Sequence, residues 1–186
     1  MTLQTVLIIR HAQSTEDLDP SIHNLINDNE IKLTPLGIEQ IYKLGSSLSQ
    51  NNIKNSCHNI IYLSPSNRAQ ETLTVLKPYL TGRKNIFTDN RIRNLNWGNM
   101  TAENKEQTEI ERYKIGVLKY KFPGGDDTFD YVKAINNFTK EIFYNCGKLE
   151  FPERFVIITH GFALRVIVRS IFTIPDEKFK WLANPP

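Results

Sequence analysis

Cysteine is scarce in this chain, with only Cys57 and Cys146 among 186 residues. The two residues are far apart in sequence and do not show the short spacing of a metal-binding motif. A pair of this kind also does not predict the disulfide framework of a small secreted domain. We therefore interpret both as buried thiols of a protein in a reducing compartment.

Long uninterrupted hydrophobic runs are absent as well. Met1 to Ile9 lacks the basic segment and the long apolar segment of a signal peptide. The most apolar later stretch, Phe155 to Phe172, is interrupted by His160, Arg165 and Arg169, which is not typical of a membrane span. We expect a cytoplasmic protein that does not enter a membrane.

Charge of one sign is not concentrated anywhere in the chain. The formal net charge is only +3, and the basic residues are scattered rather than gathered into a stripe. Aromatic residues are not interleaved with basic clusters, as a groove for single-stranded nucleic acid requires. Nucleic-acid binding is therefore not expected. The length fits one domain with a substantial core, without internal repeats, and does not specify an oligomeric state.

Strand-like and helix-like segments alternate along the sequence. The apolar run Thr5–Ile9 predicts a strand buried on both faces, and further strands are predicted at Asn59–Leu63 and Phe155–Thr159, with a shorter one at 85–88. Helical patterns occupy 35–48, 69–76, 103–113, 127–145 and 161–172. This order predicts an α/β fold: one domain with a mostly parallel central sheet and helices on both faces.

Cationic or protonatable side chains follow three of these strands. Arg10 and His11 come directly after the first strand, Arg68 follows the second, and His160 follows the last. Because the carboxyl ends of strands in an open α/β sheet meet at the ligand crevice, we expect these side chains to converge. Such a pocket suits an anion, and phosphate is the obvious candidate.

Two histidines and two arginines can perform phosphoryl transfer without a metal. A neutral imidazole is a competent nucleophile toward phosphorus and forms a phosphohistidine. Arginine grips two phosphoryl oxygens at once and stays charged, and a protonated second histidine adds another donor. The same histidines are weaker candidates for metal ligands, since neighbouring arginines repel a cation. No metal or other cofactor is expected.

The chain resembles the histidine phosphatase superfamily, in its phosphoglycerate-mutase-like branch. The resemblance begins with Leu-Ile-Ile-Arg-His-Ala-Gln-Ser at 7–14 and continues with Leu-Thr-Pro-Leu-Gly-Ile-Glu-Gln at 33–40. Ser-Pro-Ser-Asn-Arg-Ala-Gln-Glu-Thr at 64–72 and Thr-His-Gly at 159–161 follow in the expected order. The blocks at 91–99 and 122–126 are also similar, so the resemblance covers almost the whole chain.

This resemblance implies a phosphatase that hydrolyses phosphomonoesters through a phosphohistidine intermediate on His11. It implies that the transferring phosphoryl group is bound by Arg10, Arg68 and His160. It also implies substrate-binding roles for Gln13, Ser14, Asp17 and Asn94. The expected partner is a small phosphorylated substrate or a phosphoprotein, and substrate choice is expected to depend on the loops at about 15–32 and 96–125.

Three residues depart from the family pattern. Ala12 replaces a glycine. Asn94 replaces the glutamate that protonates the leaving oxygen, and losing a general acid costs about 10²–10⁴ in rate. Asp17 replaces an asparagine; it either acts as a substitute acid, protonated beside the phosphate, or faces solvent. Asp126 and Asp127 are further candidate acids with weaker support.

These departures leave two alternatives to an efficient phosphatase. One is a catalytically impaired family member that binds phosphorylated ligands or protein partners through the same pocket. The other is an enzyme restricted to good leaving groups, such as phosphohistidine or acyl phosphate. The resemblance also predicts a single domain over 1–186, which either lacks the last edge strand of the family or is truncated before it.

Overall fold

The computed structural model describes residues 5–19, 26–50, 58–101, 103–146 and 153–183. Within those ranges, the strands are β1 (Thr5–Arg10), β2 (His58–Leu63), β3 (Arg83–Thr88) and β4 (Glu153–Thr159). The helices are α1 (Thr15–Leu18), α2 (Pro35–Gln50), α3 (Asn67–Leu76), α4 (Lys105–Ile115), α5 (Thr128–Cys146) and α6 (Gly161–Phe172). Short 3₁₀ turns include Asp28–Glu30 and Asp176–Trp181. Cys57 and the side chain of Cys146 lie outside the described residues.

The described strands form one parallel sheet in the order β1-β4-β2-β3. β4 is central, and its last residues pair with the ends of both neighbours: Thr159 with Arg10 of β1, and Ile158 with Leu63 of β2. The carboxyl ends of these three strands therefore lie side by side at the same end of the sheet. This arrangement confirms the predicted parallel α/β fold.

Helices cover both faces of the sheet, and each face has its own hydrophobic core. Along β4, Phe155 and Ile157 pack into the core formed with α5 and α6, whereas Val156 and Ile158 pack into the core formed with α2 and α3. Successive side chains of a strand point to opposite faces, which explains the continuous apolar run of this central strand.

The prediction that Thr5–Ile9 is buried on both faces is wrong. The residues of β1 are only half-buried, because in the described part of the chain β1 pairs with β4 alone and lies at an edge of the sheet. Its side chains still alternate between the two cores, which accounts for the apolar run. The prediction about a final edge strand concerns the chain after Ala183, which lies outside the described residues.

The start of α2 is pressed against the segment that follows β1. Thr34 caps this helix, since its hydroxyl oxygen accepts the N–H of Gly37 at 3.0 Å, and Pro35 occupies the first helical position as the sequence predicts. A Cβ atom at Gly37 would lie only 2.2 Å from the carbonyl oxygen of Gln13. Glycine is therefore needed for this close approach, which fixes the loop that carries His11.

Within the described ranges, no helix combines the length and the hydrophobicity that crossing a bilayer requires. The cytoplasmic location stays a prediction.

Candidate active site

The parallel hydrogen-bond ladder continues one residue beyond the strand ends. The N–H of His11 donates to the carbonyl of Thr159 at 2.8 Å, and the N–H of Ser64 donates to that of Ile158 at 3.0 Å. His11 and Ser64 are thereby held beside the end of β4, where His160 follows directly. The backbone at His11 and Ser64 is thus fixed by hydrogen bonds to the central strand.

Arg68 joins the two histidines into one buried cluster. Its Nε atom donates to His11 Nε2 at 3.3 Å, and its Nη2 atom lies 3.4 Å from His160 Nδ1. The imidazole centroids are 4.9 Å apart. Arg68 is completely buried, and the histidines are 5% and 1% exposed. The structure therefore brings these three side chains into contact, and the charge of Arg10, the fourth side chain that the sequence places at strand ends, also acts on both histidines.

Contacts on both ring nitrogens assign the tautomer of His11. Nδ1 lies 2.9 Å from the carbonyl oxygen of Ala12, which can only accept a hydrogen bond, so Nδ1 carries the proton. Nε2 accepts from Arg68 and therefore presents a lone pair. Burial, followed by the positive charge of Arg68, lowers the pKa of His11 to about 4. At neutral pH the imidazole is thus uncharged, with Nε2 as its nucleophilic atom.

His160 has the opposite tautomer. Its Nδ1 atom faces Arg68, which can only donate, so the proton lies on Nε2, at 2.8 Å from the hydroxyl oxygen of Ser64 and 3.3 Å from that of Ser66. Burial, followed by the positive charges of the cluster, holds the pKa of His160 well below its usual range. The expected protonated form of this histidine is therefore not favoured in this arrangement; a phosphate dianion beside Nδ1 would favour it.

The low pKa of His11 predicts acid-sensitive stability. The unfolded chain binds a proton at His11 below about pH 6.5, whereas the folded chain does so only near pH 4. This residue's contribution, about 3 kcal/mol, is complete above pH 6.5 and disappears as the pH falls toward 4. Urea unfolding at intervals between pH 7 and 4 measures it. The matched His11→Asn variant should lose less stability over that window; parallel curves for the two proteins would contradict the prediction.

Two carboxylates of one loop contact the guanidinium group of Arg68. We call the segment between Ser14 and Leu33, described at 15–19 and 26–32, the acidic loop; a single antiparallel bridge joins its two ends. Asp28 accepts from Arg68 twice, through Oδ1 at 2.8 Å and through its carbonyl oxygen at 2.7 Å. Glu16 Oε2 lies 3.3 Å from the same guanidinium. The sequence interpretation did not single out either residue.

Asp17 is bound by three donors. Arg10 Nη2 lies 2.6 Å from its Oδ1, and the N–H and hydroxyl of Ser14 donate to its Oδ2 at 2.8 and 2.9 Å. Burial opposes ionisation, but the Ser14 N–H, the Arg10 charge and the Ser14 hydroxyl outweigh it and hold the pKa of Asp17 below its usual range. In this arrangement Asp17 is therefore an exposed, ionised partner of Arg10, which does not favour it as a protonated acid.

The other predicted substrate-binding residues make internal contacts. Gln13 accepts the Thr34 hydroxyl at 2.7 Å through its side-chain oxygen. Asn94, the residue at the family's glutamate position, donates from Nδ2 to Asp28 Oδ1 at 2.9 Å. Asn94 is thus part of the cluster around Arg68, through Asp28. The substrate-binding roles of these residues stay predictions.

Asp126 and Asp127 stabilise the loops near the site instead of joining its centre. Asp126 accepts from both terminal nitrogens of Arg93, at 2.7 and 2.8 Å, and from the N–H of Asn96 at 2.8 Å. Asp127 accepts the N–H of Phe129 at the start of α5. The contacts of Asp126 fix the segment that carries Asn94, whereas Asp127 stabilises the start of α5. Among the hydrogen bonds between described residues, neither carboxylate contacts His11.

A metal site would require several ligating side chains close together. Among the residues that the structure describes, no three or more histidine, cysteine, aspartate or glutamate side chains are grouped so that they could hold a metal ion. The histidine nitrogens of the site instead face Arg68, Ala12 and Ser64.

The sequence pattern of the histidine phosphatase superfamily, branch 1, matches residues 6–186. This chain belongs to that superfamily. A curated relative, the phosphoglycerate mutase-like protein AT74 of Arabidopsis thaliana, is 26% identical over 193 residues. The match covers 97% of this chain but only 61% of AT74, so the chain spans less than two thirds of that relative's length.

Solved structures share the histidine phosphatase fold. The mycobacterial glucosyl-3-phosphoglycerate phosphatase superposes with a TM-score of 0.70 at 15% identity, covering 98% of this chain and 87% of the other. A putative alpha-ribazole-5'-P phosphatase from Escherichia coli gives 0.69 at 15% identity, with 97% and 85% covered. At these identities the likeness concerns the fold, while the family membership rests on the sequence match.

Proposed function

We propose that this chain is a metal-independent phosphatase that hydrolyses phosphomonoesters through a phosphohistidine on His11. The observation that carries the proposal is the state of this side chain: a neutral imidazole whose Nε2 lone pair faces a buried arginine. Nucleophile and anion-binding group are thus already adjacent, as nucleophilic catalysis requires. Membership of the superfamily and the phosphatases among its structural neighbours agree with it.

The first chemical step forms the phosphoenzyme. The Nε2 lone pair of His11 attacks phosphorus and the bond between phosphorus and the leaving oxygen breaks, while the proton stays on Nδ1 and is donated to the carbonyl oxygen of Ala12. Arg10, Arg68 and His160 neutralise the equatorial oxygens, the main task of the protein in phosphoryl transfer. His160 takes up a proton at Nδ1 when a phosphate dianion lies beside it, and then donates to that dianion.

The second step releases phosphate. Water attacks phosphorus, the bond to Nε2 breaks, and His11 returns to its neutral form. With Nδ1 still protonated, the phosphorylated ring carries a positive charge, which burial and the nearby arginines disfavour, so breakage of the bond to Nε2 and return to the neutral ring are favoured. Gln13, Ser14, Asp17 and Asn94 are proposed to shape the substrate side of this site.

A second candidate function is a catalytically impaired member that binds phosphorylated ligands or protein partners. Two observations favour it: Asn94 stands at the position of the usual acid, and the carboxylates of Asp28 and Glu16 already contact Arg68. A phosphate must displace these carboxylates, which lowers its apparent affinity. An enzyme restricted to good leaving groups lies between the two candidates.

Trapping the intermediate tests the proposal directly. Protein mixed with radiolabelled p-nitrophenyl phosphate and quenched in alkali should carry label that is stable to base and released by mild acid, as expected of a P–N bond. Peptide mapping should place the label on His11. Absence of label, together with vanadate binding by the folded protein, would instead identify a phosphate-binding protein without turnover.

A further inference from the structure

We propose that Asp28 is the general acid of this enzyme, presented by Asn94 in place of the missing glutamate. This inference rests on the proposed phosphatase function. It concerns a residue of the acidic loop that belongs to none of the sequence blocks that resemble the family.

Asp28 occupies the right place for this role. One carboxylate oxygen, Oδ1, binds both Arg68 Nη2 at 2.8 Å and Asn94 Nδ2 at 2.9 Å. Arg68 in turn contacts the nucleophilic nitrogen of His11 through Nε. A phosphoryl group held by Arg68 against His11 therefore lies beside the Asp28 carboxyl group. Asn94 cannot donate a proton to a leaving oxygen, but it can hold the carboxyl group that does.

Charge explains how Asp28 changes from a partner of Arg68 to an acid. When the guanidinium turns its donors to a phosphate, Asp28 loses its positive partner and gains a dianion as a neighbour. Both changes favour the protonated carboxyl group. Its side chain is 34% exposed, so a proton can reach it from solvent. Asn94 can keep Oδ1 while the second oxygen carries the proton.

The other carboxylates of the acidic loop are less suited to the task. Asp17 is fixed as an anion by Arg10 and by two donors of Ser14. Glu16 reaches Arg68 only at 3.3 Å. Among the hydrogen bonds between described residues, the one from Asn94 goes to Asp28 and to neither of these.

The proton balance then closes over both steps. As His11 Nε2 bonds to phosphorus, the Asp28 carboxyl group gives its proton to the departing oxygen, which leaves as an alcohol or phenol. Asp28 is now a carboxylate and takes a proton from the water that attacks the phosphohistidine. Release of phosphate restores neutral His11 and protonated Asp28, so no co-reactant other than water is consumed.

Leaving-group dependence tests this role. Phenol is a far weaker acid than p-nitrophenol, so hydrolysis of phenyl phosphate needs proton donation much more. Asp28→Asn should lower kcat/KM for phenyl phosphate by about 10²–10⁴ and that for p-nitrophenyl phosphate by much less. Phosphoenzyme should also accumulate in this variant, since the base of the second step is lost. Glu30→Gln removes a charge from the same turn and is the matched control; it should keep the wild-type ratio of the two substrates.

Moving the acid back to the family position provides a rescue. In the Asp28→Asn background, Asn94→Glu should restore a large part of the phenyl phosphate activity. In the wild-type background the same substitution should raise the phenyl to p-nitrophenyl ratio by less than about tenfold, because an acid already operates. This second measurement does not depend on the folding of the Asp28 variant.

Three results separate the outcomes. An unchanged substrate ratio in Asp28→Asn, even with tighter binding of inorganic phosphate, would show that Asp28 only competes for Arg68 and would overturn the proposal. A gain of about 10² or more from Asn94→Glu alone would also overturn it, since the wild type would then lack an acid. If label were never trapped on His11, the proposed function itself would fail, irrespective of Asp28.

Discussion

Replacing His11 with alanine is expected to lower the turnover of p-nitrophenyl phosphate by about 10⁴ or more, the range found when the nucleophile of a covalent mechanism is removed. This substrate has a good leaving group, so its turnover depends on the nucleophile even where the general acid is weak. Steady-state assays of both proteins at about pH 4 to 8 measure this loss of turnover. The loss should appear at every pH, because alanine removes the Nε2 lone pair that faces Arg68 Nε.

The control for this experiment is another histidine of the same sheet. His58 begins β2, at the opposite end of the strand from the site, and His58→Gln should retain the wild-type rate. Equal turnover by the His11→Ala variant and the wild type would contradict the covalent mechanism. If the wild type and His11→Ala both had negligible turnover, and the folded wild type bound vanadate, the result would favour the binding function.

Replacing Arg68 with methionine is expected to lower kcat/KM by about 10²–10³, the usual cost of removing one preorganised donor to transition-state charge. A second consequence follows from the charge of Arg68, which lowers the pKa of His11 after burial does. Without that charge the pKa of His11 should move upward from about 4. The acidic limb of the residual pH–rate profile should therefore shift to higher pH.

Arg91→Met is the matched control, because Arg91 pairs with Asp89 and Glu141 away from the histidines. It should leave both the rate and the pH profile in place, apart from any change in stability seen by thermal unfolding. A normal rate with Arg68→Met would remove this residue from phosphate binding. A reduced rate with an unshifted acidic limb would show that Arg68 does not set the charge state of His11.

The centre of the site was predictable because it follows from strand geometry. Arg10, His11 and His160 come directly after apolar runs, and a parallel sheet necessarily brings such positions to one edge. The same argument does not specify which strand is central. β1 and β4 have similar apolar runs, yet in the described sheet β4 lies between two strands and β1 pairs with β4 alone, because strand order depends on the long connections between strands.

Asp28 could not be found in this way. It lies in a polar loop without hydrophobic periodicity, and its partners Arg68 and Asn94 are 40 and 66 positions away in sequence. Asp17 was noticed only because it departs from a family pattern, and its ion pair with Arg10 depends on the local turn at Ser14. Contacts of this kind are fixed by loop conformation, which residue patterns do not encode.

The bridge between Ser14 and Leu33 gives the acidic loop a closed base. Thr15 N–H also donates to the carbonyl of Lys32 at 3.0 Å, so the two ends of the segment are held together by backbone contacts. His11, the proposed nucleophile, is held by a backbone hydrogen bond to β4, whereas Glu16, Asp17 and Asp28 belong to the acidic loop. Exchanging this segment would therefore replace Glu16, Asp17 and Asp28 together, and with them the proposed general acid, while His11, Arg68 and His160 keep their places beside the sheet.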